Sequence, residues 1–247
     1  MRGPTSRLET DLPFKDRDTQ LQALVDSIKQ EIIFGRLRPR ERLIEDDLST
    51  RYGASRHLVR SAFSELQQMG LVTRRPNKGA IVRDFAPEEV DEIYEMRALL
   101  QAEAASRIPL PVNPALIVQL ESILTAYEAE VDAHNLKRVC ELNNQFHHTM
   151  FAACDNRCLT GLIERIWTET LGIRCYAIGD PALLARARNE HRRMVDALKI
   201  GDRELLVHLC VEHIWPALEA YKTAHGGWQS GYRLAAALQP MKVAAAR

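Results

Sequence analysis

Three histidines in the second half of the chain have the residue type and the spacing of metal ligands. His147, His191 and His213 each share a helical face with apolar residues, on three separate helical patterns. All three side chains are therefore predicted to point into a helical bundle. A neutral imidazole is a good ligand for zinc and similar divalent ions. Three imidazoles with one oxygen donor would leave a position for water or an external ligand.

Spacing alone leaves three interpretations of these histidines open. An inward histidine is more often a core residue than a ligand, and the sequence has no short metal-binding motif. An open metal position also fits a metal-dependent hydrolase, but a hydrolase needs a placed general base. Glu190 precedes His191 on its helix, about 100° around the axis, and is expected to face away from that metal. A structural metal site is the third interpretation.

A second group of side chains has the character of a DNA reader. Ser55 is predicted to cap a helix, and Arg56 and His57 fall in its first turn. Arg60 lies one turn beyond Arg56 on the same outward face. Arginine is the side chain best shaped to bond O6 and N7 of guanine. A solvated charged face is the alternative interpretation.

The segment after this helix adds positive charge. Arg74, Arg75 and Lys78 lie on or beside a predicted hairpin turn. Gly79 follows them and would let the backbone approach a minor groove or a phosphate closely. The hairpin is therefore expected to contact DNA beside the helix.

Apolar periodicity predicts the elements that position the arginines. A helix begins near Thr19, a second short helix fits 44–52, and the third follows Ser55. The alternating stretches LVTRR and AIVRDF predict two strands, with a turn at 76–79. Helix, helix, turn, helix and hairpin is the winged helix-turn-helix pattern, in which the third helix meets base edges.

The rest of the chain reads almost entirely as helix. Six or seven amphipathic helices with short connections predict an all-α bundle, so the fold class is mostly α. Pro216 falls inside the last helical run and is expected to kink it or shift its boundary. The predicted helical runs are 87–107, 113–132, 135–153, 158–176, 181–199 and 202–224.

Composition bounds the class of protein. The 247 residues include 33 Lys/Arg and 33 Asp/Glu, but basic residues outnumber acidic ones over 1–85 and the reverse holds afterwards. A basic module on a neutral chain indicates a polyanionic partner. The five cysteines form no CxxC pair, which favours reduced thiols in a cytoplasmic protein. The sequence offers no signal peptide and no stretch expected to cross a membrane.

The run RERLIEDDLSTRYGASRHLVRSAFSELQQMGLVTRRPNKGAIV resembles the DNA-binding domain of the GntR family. It matches that family in the support helix, in the Ser-Arg and Val-Arg positions of the next helix, and in the Gly-Ala-x-Val wing. His57 and Leu58 stand where Thr and Pro are usual, and Ser61 replaces Glu. Because His57 lies among the base-reading positions, the operator is expected to differ from the common one. The DNA-binding residues that this resemblance implies are Ser55, Arg56, His57, Arg60, Arg75, Lys78 and Gly79.

Residues 87–224 resemble the FCD effector-binding domain of the FadR-like branch of GntR regulators. Metal-binding members carry Asp-x-x-x-His on one helix, then Glu-His, then a last His. Asn143 stands in the Asp position, where its carbonyl can still coordinate but brings no negative charge. Arg97 matches a pocket-facing arginine of the first helix and is the implied effector partner. The implied metal ligands are Asn143, His147, His191 and His213.

Together these resemblances imply a ligand-responsive transcriptional repressor with no catalytic residues. A homodimer would read an inverted repeat in double-stranded DNA. A divalent metal, zinc or similar, would bind the carboxylate of a small organic acid. The expected organisation is a flexible tail at 1–18, a winged helix-turn-helix domain at 19–85, an effector-binding domain at 86–225 and a C-terminal tail at 226–247.

Overall fold

The computed structural model describes residues 17–33, 35–75, 78–174 and 177–226. Most of the two predicted tails, and Pro76 and Asn77 of the predicted turn, lie outside the described residues. The predicted architecture is confirmed: a winged helix-turn-helix domain precedes a helical bundle. No helix in the described ranges combines the length and the apolar character needed to cross a membrane.

The N-terminal domain packs three helices against a small sheet. The sheet is antiparallel, with strand order β1-β3-β2. Ser55 begins the third helix by accepting a hydrogen bond from the backbone N–H of Leu58 at 3.2 Å, as its sequence position predicts. The elements are α1 (Arg17–Ile33), β1 (Arg42–Leu43), α2 (Glu45–Tyr52), α3 (Arg56–Gln68), β2 (Val72–Arg75) and β3 (Gly79–Val82).

Two details of this domain differ from the sequence prediction. The described part of the first helix starts at Arg17, two residues before the predicted start near Thr19. The strand β1 was not predicted, because two residues are too few to show alternation. It pairs with β3 through Arg42 opposite Ile81 and Leu43 opposite Ala80.

The C-terminal domain contains the predicted bundle. Its described part has seven helices of ten or more residues and one helix of four residues. Most of their ends lie within one residue of the predicted runs. The elements are α4 (Pro87–Arg107), α5 (Pro114–Asp132), α6 (Leu136–Ala152), α7 (Arg157–Glu169), α8 (Leu171–Arg174), α9 (Pro181–Ile200), α10 (Arg203–Glu212) and α11 (Trp215–Ala224).

Two predicted helices are each divided in the structure. The predicted run 158–176 ends at Glu169, and α8 then starts a new turn. The run 202–224 breaks at His213 and Ile214, and Pro216 lies in the first turn of α11, where its missing N–H costs no helical hydrogen bond. The boundary shift expected from Pro216 is therefore present.

The cores of the two domains meet at α8. One apolar cluster is formed by α1, α2, α3 and the sheet, and a larger one by the bundle helices. Leu171 of α8 belongs to the first cluster, although it lies in the bundle sequence. The bundle and the N-terminal domain are therefore packed together through this short helix.

Candidate functional site

The start of α3 presents three exposed polar side chains. Arg56 pairs with Asp46 at 2.6 Å, and Arg60 pairs with Glu45 at 2.7 Å. His57 Nδ1 lies 2.9 Å from a guanidinium nitrogen of Arg17. Both carboxylates belong to α2, so the support helix holds the arginines of α3 in place. Exposed pairs of this kind contribute roughly 0–1 kcal/mol, so a phosphate or a base can replace them at little cost.

These arginines form one wall of an open groove of about 920 Å³. The hairpin β2–β3 forms the facing wall. Its basic side chains are exposed, and Arg74 Nη1 bonds Ser64 of α3 at 2.9 Å. The groove thus collects positive charge from three elements. The basic residues that line it are Arg42, Arg56, Arg60, Arg74, Arg75 and Lys78.

Gly79 has a structural role that the sequence did not suggest. Its φ is +78°, and a Cβ added there would lie 2.1 Å from the carbonyl oxygen of Leu43. The glycine therefore allows β1 and β3 to pair closely and occupies a backbone region that other residues rarely adopt. Although Gly79 lines the groove, the close approach that requires glycine is to Leu43.

In the bundle, two helices and the turn after α10 bring the predicted histidines together. His147 on α6 and His191 on α9 have Nε2 atoms 3.1 Å apart. His213 Nε2 lies 3.2 Å from each of them. His147 is 5% exposed and His191 is fully buried. The Nε2 atoms of the three histidines thus converge on one point.

This triangle fits a divalent metal ion. A metal about 2.1 Å from each of three nitrogens separates them by about 3.0 Å at right angles and about 3.4 Å at tetrahedral angles. The observed separations of 3.1 to 3.2 Å lie between these values. Each neutral imidazole has only one N–H, so three mutually adjacent Nε2 atoms cannot all satisfy one another by hydrogen bonding. A shared cation resolves this conflict.

Glu190 orients one of the three rings. Its Oε2 lies 2.7 Å from His213 Nδ1, and its Oε1 accepts a hydrogen bond from Arg186 at 2.6 Å. Burial alone would raise the pKa of this carboxyl, but the bonds from His213 and Arg186 outweigh it and lower the pKa. An ionised carboxylate only accepts, so His213 donates through Nδ1 and leaves Nε2 free for a metal.

Burial favours the neutral form that metal ligation requires. It is the main cause that lowers the pKa of both His147 and His191 well below the ordinary value. The neighbouring imidazoles lower the pKa of His147 further, as do Arg174 and Arg97. His148, the next residue, is exposed and contacts Glu164 at 2.8 Å instead.

A cavity of about 70 Å³ adjoins the histidines. Asn143 lines it one turn before His147 on α6. Arg97 lines it from α4 and is 6% exposed, with its guanidinium 4.6 Å from the Tyr94 ring centre. The Nε and Nη1 groups of Arg97 have no hydrogen-bond partner among the described residues, and burial lowers the pKa of this guanidinium to about 10.

Sequence reasoning missed two residues of this site. Glu190 was placed away from the metal by its helical angle, whereas it acts on the far nitrogen of His213. The adjacent Glu-His pair was the available signal, because ligating histidines commonly bond a carboxylate. Arg174 also lines the cavity and bonds Asn144 Oδ1 at 2.5 Å. No pattern marked it, because its position depends on the helix break at Thr170.

Comparison with known proteins agrees with this arrangement of domains. Residues 20–82 match the bacterial regulatory proteins of the gntR family, and residues 92–215 match the FCD domain. The chain belongs to the GntR family. It is a DNA-binding transcriptional regulator and not an enzyme.

Individual relatives carry regulator names. A probable D-xylose utilization operon transcriptional repressor of Paenarthrobacter nicotinovorans is 28% identical over 85% of this chain and 92% of its own length. The Escherichia coli repressor RspR is 22% identical over 81% and 88%. The solved structure of E. coli McbR/YncC has a TM-score of 0.69 at 20% identity and covers 83% of this chain and 98% of its own. That likeness shows the shared fold.

The hydrolase interpretation gains no support for this GntR protein. The family and the relatives are regulators. The carboxylate beside the histidines, Glu190, is engaged by both His213 and Arg186. A general base must take up a proton, and the bonds from His213 and Arg186 lower the pKa of this carboxyl, which makes it a weaker base.

Proposed function

We propose that this GntR protein is a repressor whose affinity for DNA is controlled by a small organic acid bound at a divalent metal. The convergence of three Nε2 atoms within 3.2 Å, beside the buried Arg97, carries this proposal. When bound, zinc or a similar ion would supply a Lewis-acid position for a carboxylate oxygen. His147, His191 and His213 would hold the metal, and Asn143 is the candidate oxygen ligand.

Arg97 supplies the second contact to the acid. Its Nε and Nη1 groups are buried and lack a hydrogen-bond partner in the described part of the chain, which is costly unless a ligand accepts from them. A guanidinium can bond both oxygens of one carboxylate in a fixed geometry. An acid bound at the metal and at Arg97 would therefore be both oriented and charge-balanced.

The DNA-reading groups are Arg56, His57 and Arg60 at the start of α3. In this fold the second helix of the motif enters the major groove with its N-terminal residues against the bases. Arg75 and Lys78 on the wing, with Ser55 at the helix start, would contact the phosphate backbone beside it. Gly79 would bring the backbone of the wing close to the same DNA phosphates.

A homodimer is the assembly that suits an inverted-repeat operator. The bundle exposes apolar side chains on two helices that pack side by side, α4 and α7. Met96 is 47% exposed, Leu99 is 53% exposed and Leu162 is 46% exposed. Pairing these faces between two copies would remove the apolar surface from water.

Repression relieved by the acid is the proposed direction of control. Two of the relatives, the D-xylose utilization operon protein and RspR, are named repressors, which supports this choice. The dimer would have one conformation that binds DNA and one that does not. The acid must bind these two conformations with different affinities, because a ligand with equal affinity for both does not shift the equilibrium between them. Operator DNA lies in the bacterial cytoplasm, and the protein would act there.

Base reading is tested by Arg60→Ala. The variant should lose about 1–3 kcal/mol of preference at one base pair, because a guanidinium-base contact is removed. Competition between a DNA fragment selected by the protein and random DNA measures this preference. Arg107→Ala, an exposed arginine of the bundle, is the control. An unchanged ratio of affinities in Arg60→Ala would show that Arg60 does not read a base.

Effector control is tested with zinc-loaded protein and a panel of small carboxylic acids. An acid that binds should raise the unfolding temperature and weaken binding to the selected DNA. Metal-free protein should show neither response. Equal responses with and without metal would place the acid elsewhere.

A further inference from the structure

The cavity beside the three histidines has an unbalanced positive charge. Its charged lining side chains are three arginines and one carboxylate. Arg186 and Glu190 pair at 2.6 Å and largely cancel. Arg97 and Arg174 remain, and Asn143 contributes no negative charge to offset them. Together with a divalent metal, this lining favours a ligand that carries more than one negative charge.

Neither remaining arginine has a carboxylate partner among the described residues. Arg97 is 6% exposed, and its Nε and Nη1 groups have no hydrogen-bond partner in the ranges that the structure describes. Arg174 makes its hydrogen bonds to neutral oxygens, at 2.5 Å to the Asn144 side chain and at 3.5 Å to the Trp167 carbonyl. A guanidinium carries more N–H groups than these two bonds use. Two cationic groups are thus available to a ligand in one cavity.

The size of the cavity limits the ligand. Each water-sized group needs roughly 10–15 Å³ of such space. The cavity of about 70 Å³ therefore accepts a compact molecule, on the scale of a short dicarboxylate. A long chain or a sugar would need the walls to move.

Arg174 lies on the helix that joins the cavity to the DNA-binding domain. Leu171, one turn earlier on α8, also lines the cavity and is buried in the apolar cluster of that domain. Asn144, the partner of Arg174, lines both the cavity and a groove against α1, where Lys29 is located. A ligand that draws on Arg174 therefore acts on residues already in contact with the DNA-binding domain.

We propose that the effector is a compact dicarboxylate, with one carboxylate at the metal and Arg97 and the second at Arg174. The second contact is the one that releases DNA, because Arg174 and Leu171 share α8. A monocarboxylate fills the metal position and leaves α8 in place. This proposal rests on the proposed function and specifies the ligand class and the regulation of the same cavity.

The first experiment compares matched acids on zinc-loaded full-length protein. Malonate is paired with propionate and succinate with butyrate, since each pair has the same number of carbons. Affinity is measured by calorimetry, and release is measured on a DNA fragment selected by the protein. At least one dicarboxylate should bind tenfold or more tightly than its partner and release the DNA. Equal affinity within both pairs, or equal release by the monocarboxylates, would overturn the proposal.

Arg174→Gln tests where the second carboxylate binds. The variant should bind both acids of a pair within threefold of each other and keep its DNA affinity. Arg174→Lys retains the charge and should recover part of the preference, and Arg107→Gln should retain all of it. A tenfold preference that survives in Arg174→Gln would place the second carboxylate elsewhere.

Leu171→Ala tests the transmission step. Because Leu171 also lines the cavity, release is compared at equal occupancy by the acid, measured by calorimetry, and the variant should release DNA at least tenfold less effectively than the parent. Leu171→Met conserves volume and should behave as the parent does. Parent-like release by Leu171→Ala at equal occupancy would overturn the role of α8, and the smaller change Leu171→Val repeats the test if Leu171→Ala fails to fold.

The outcomes also separate this proposal from the function on which it rests. If no acid binds at the metal, or if bound acids never alter DNA affinity, the proposed function is wrong. If acids bind and release DNA without preference for a second carboxylate, only the ligand class and the role of Arg174 are wrong.

Discussion

The hydrogen bond between Glu190 and His213 fixes which nitrogen of the imidazole can hold a metal. This bond of 2.7 Å and the bond from Arg186 lower the pKa of the Glu190 carboxyl and keep it ionised. Donation through Nδ1 leaves the Nε2 lone pair directed at the other two histidines. At the scale of single residues, one carboxylate outside the ligand set thus prepares the site.

Removing this carboxylate should weaken metal binding. Glu190→Gln is expected to lower zinc affinity by roughly 10–100-fold, since the ring loses its orienting acceptor. His147→Ala should lose most of the bound metal, because it removes a ligand. Competition with a chelating dye measures both. The control is Glu164→Gln, whose carboxylate contacts the exposed His148 at 2.8 Å. Parent-like affinity in Glu190→Gln would exclude the orienting role.

The metal-free protein should lose stability on acidification. The lowered pKa values of His147 and His191 mean that the unfolded chain takes up protons below about pH 6.5 that the folded chain does not. The stability that these neutral rings contribute is fully present above that pH. It falls as pH decreases toward the folded pKa values, by about 1.4 kcal/mol per pH unit per histidine.

Urea unfolding in the presence of a chelator, between pH 7.5 and 5.0, measures this slope. His191→Gln should show a shallower slope than the parent, because one of the protonation differences is gone. His208→Gln changes an exposed histidine of α10 and should leave the slope unchanged. A parent slope near zero would contradict the neutral, buried state of these rings.

At the scale of elements, the wing depends on how closely two strands approach each other. β1 is only two residues long, yet it pairs with β3 where Gly79 passes the Leu43 carbonyl. This pairing connects the segment before α2 to the hairpin that carries Arg75 and Lys78. The position of the basic side chains therefore depends on one glycine.

Gly79→Ala should destabilise the DNA-binding domain. A Cβ 2.1 Å from a backbone oxygen cannot be relieved by a side-chain rotation, so the strands must separate. The loss should exceed the roughly 1–2 kcal/mol that left-handed backbone alone costs. Gly53→Ala is the matched control, since its φ is +61° and nothing lies within 4 Å of the added carbon. Thermal unfolding compares them, and equal losses would refute the close-approach argument.

At the level of the whole molecule, each domain has its own apolar core, and the short helix α8 contributes a residue to both. Leu171 is buried in the apolar core of the N-terminal domain, while Ile173 of the same helix is buried in a cluster with α4 and α11. A rearrangement on one side of such a helix changes packing on the other, because close-packed interiors transmit strain. The cavity beside the histidines and the groove of α3 are linked through this contact.

Assembly is tested at the same scale by Met96→Glu combined with Leu99→Glu. Burying two carboxylates in an apolar interface is unfavourable, so the variant should shift from dimer to monomer. Sedimentation measures the mass, and affinity for a two-half-site DNA should fall at least tenfold with it. Ile200→Glu places the same charge on an exposed apolar residue of α9 and should remain dimeric. A dimeric double variant would place the interface elsewhere.

Local sequence patterns were sufficient to predict the domain order, most helix ends and the candidate metal ligands. Those features depend on local chemistry: Ser55 caps α3, Pro216 cannot lie deep in a helix, and His147, His191 and His213 fall on apolar faces. Such signals are contained within one element. They need no knowledge of how elements pack.

Only the tertiary structure decided the relations between elements. Each of these relations joins residues that are far apart in sequence. Three Nε2 atoms meet within 3.2 Å, and Glu190 bonds His213. A glycine is needed beside Leu43, and Leu171 lies both in the core of the N-terminal domain and in the lining of the cavity. Periodicity fixes the face on which a side chain lies, but not which face of another helix opposes it. The packing of whole elements sets that choice, and so it determines the chemistry of the cavity.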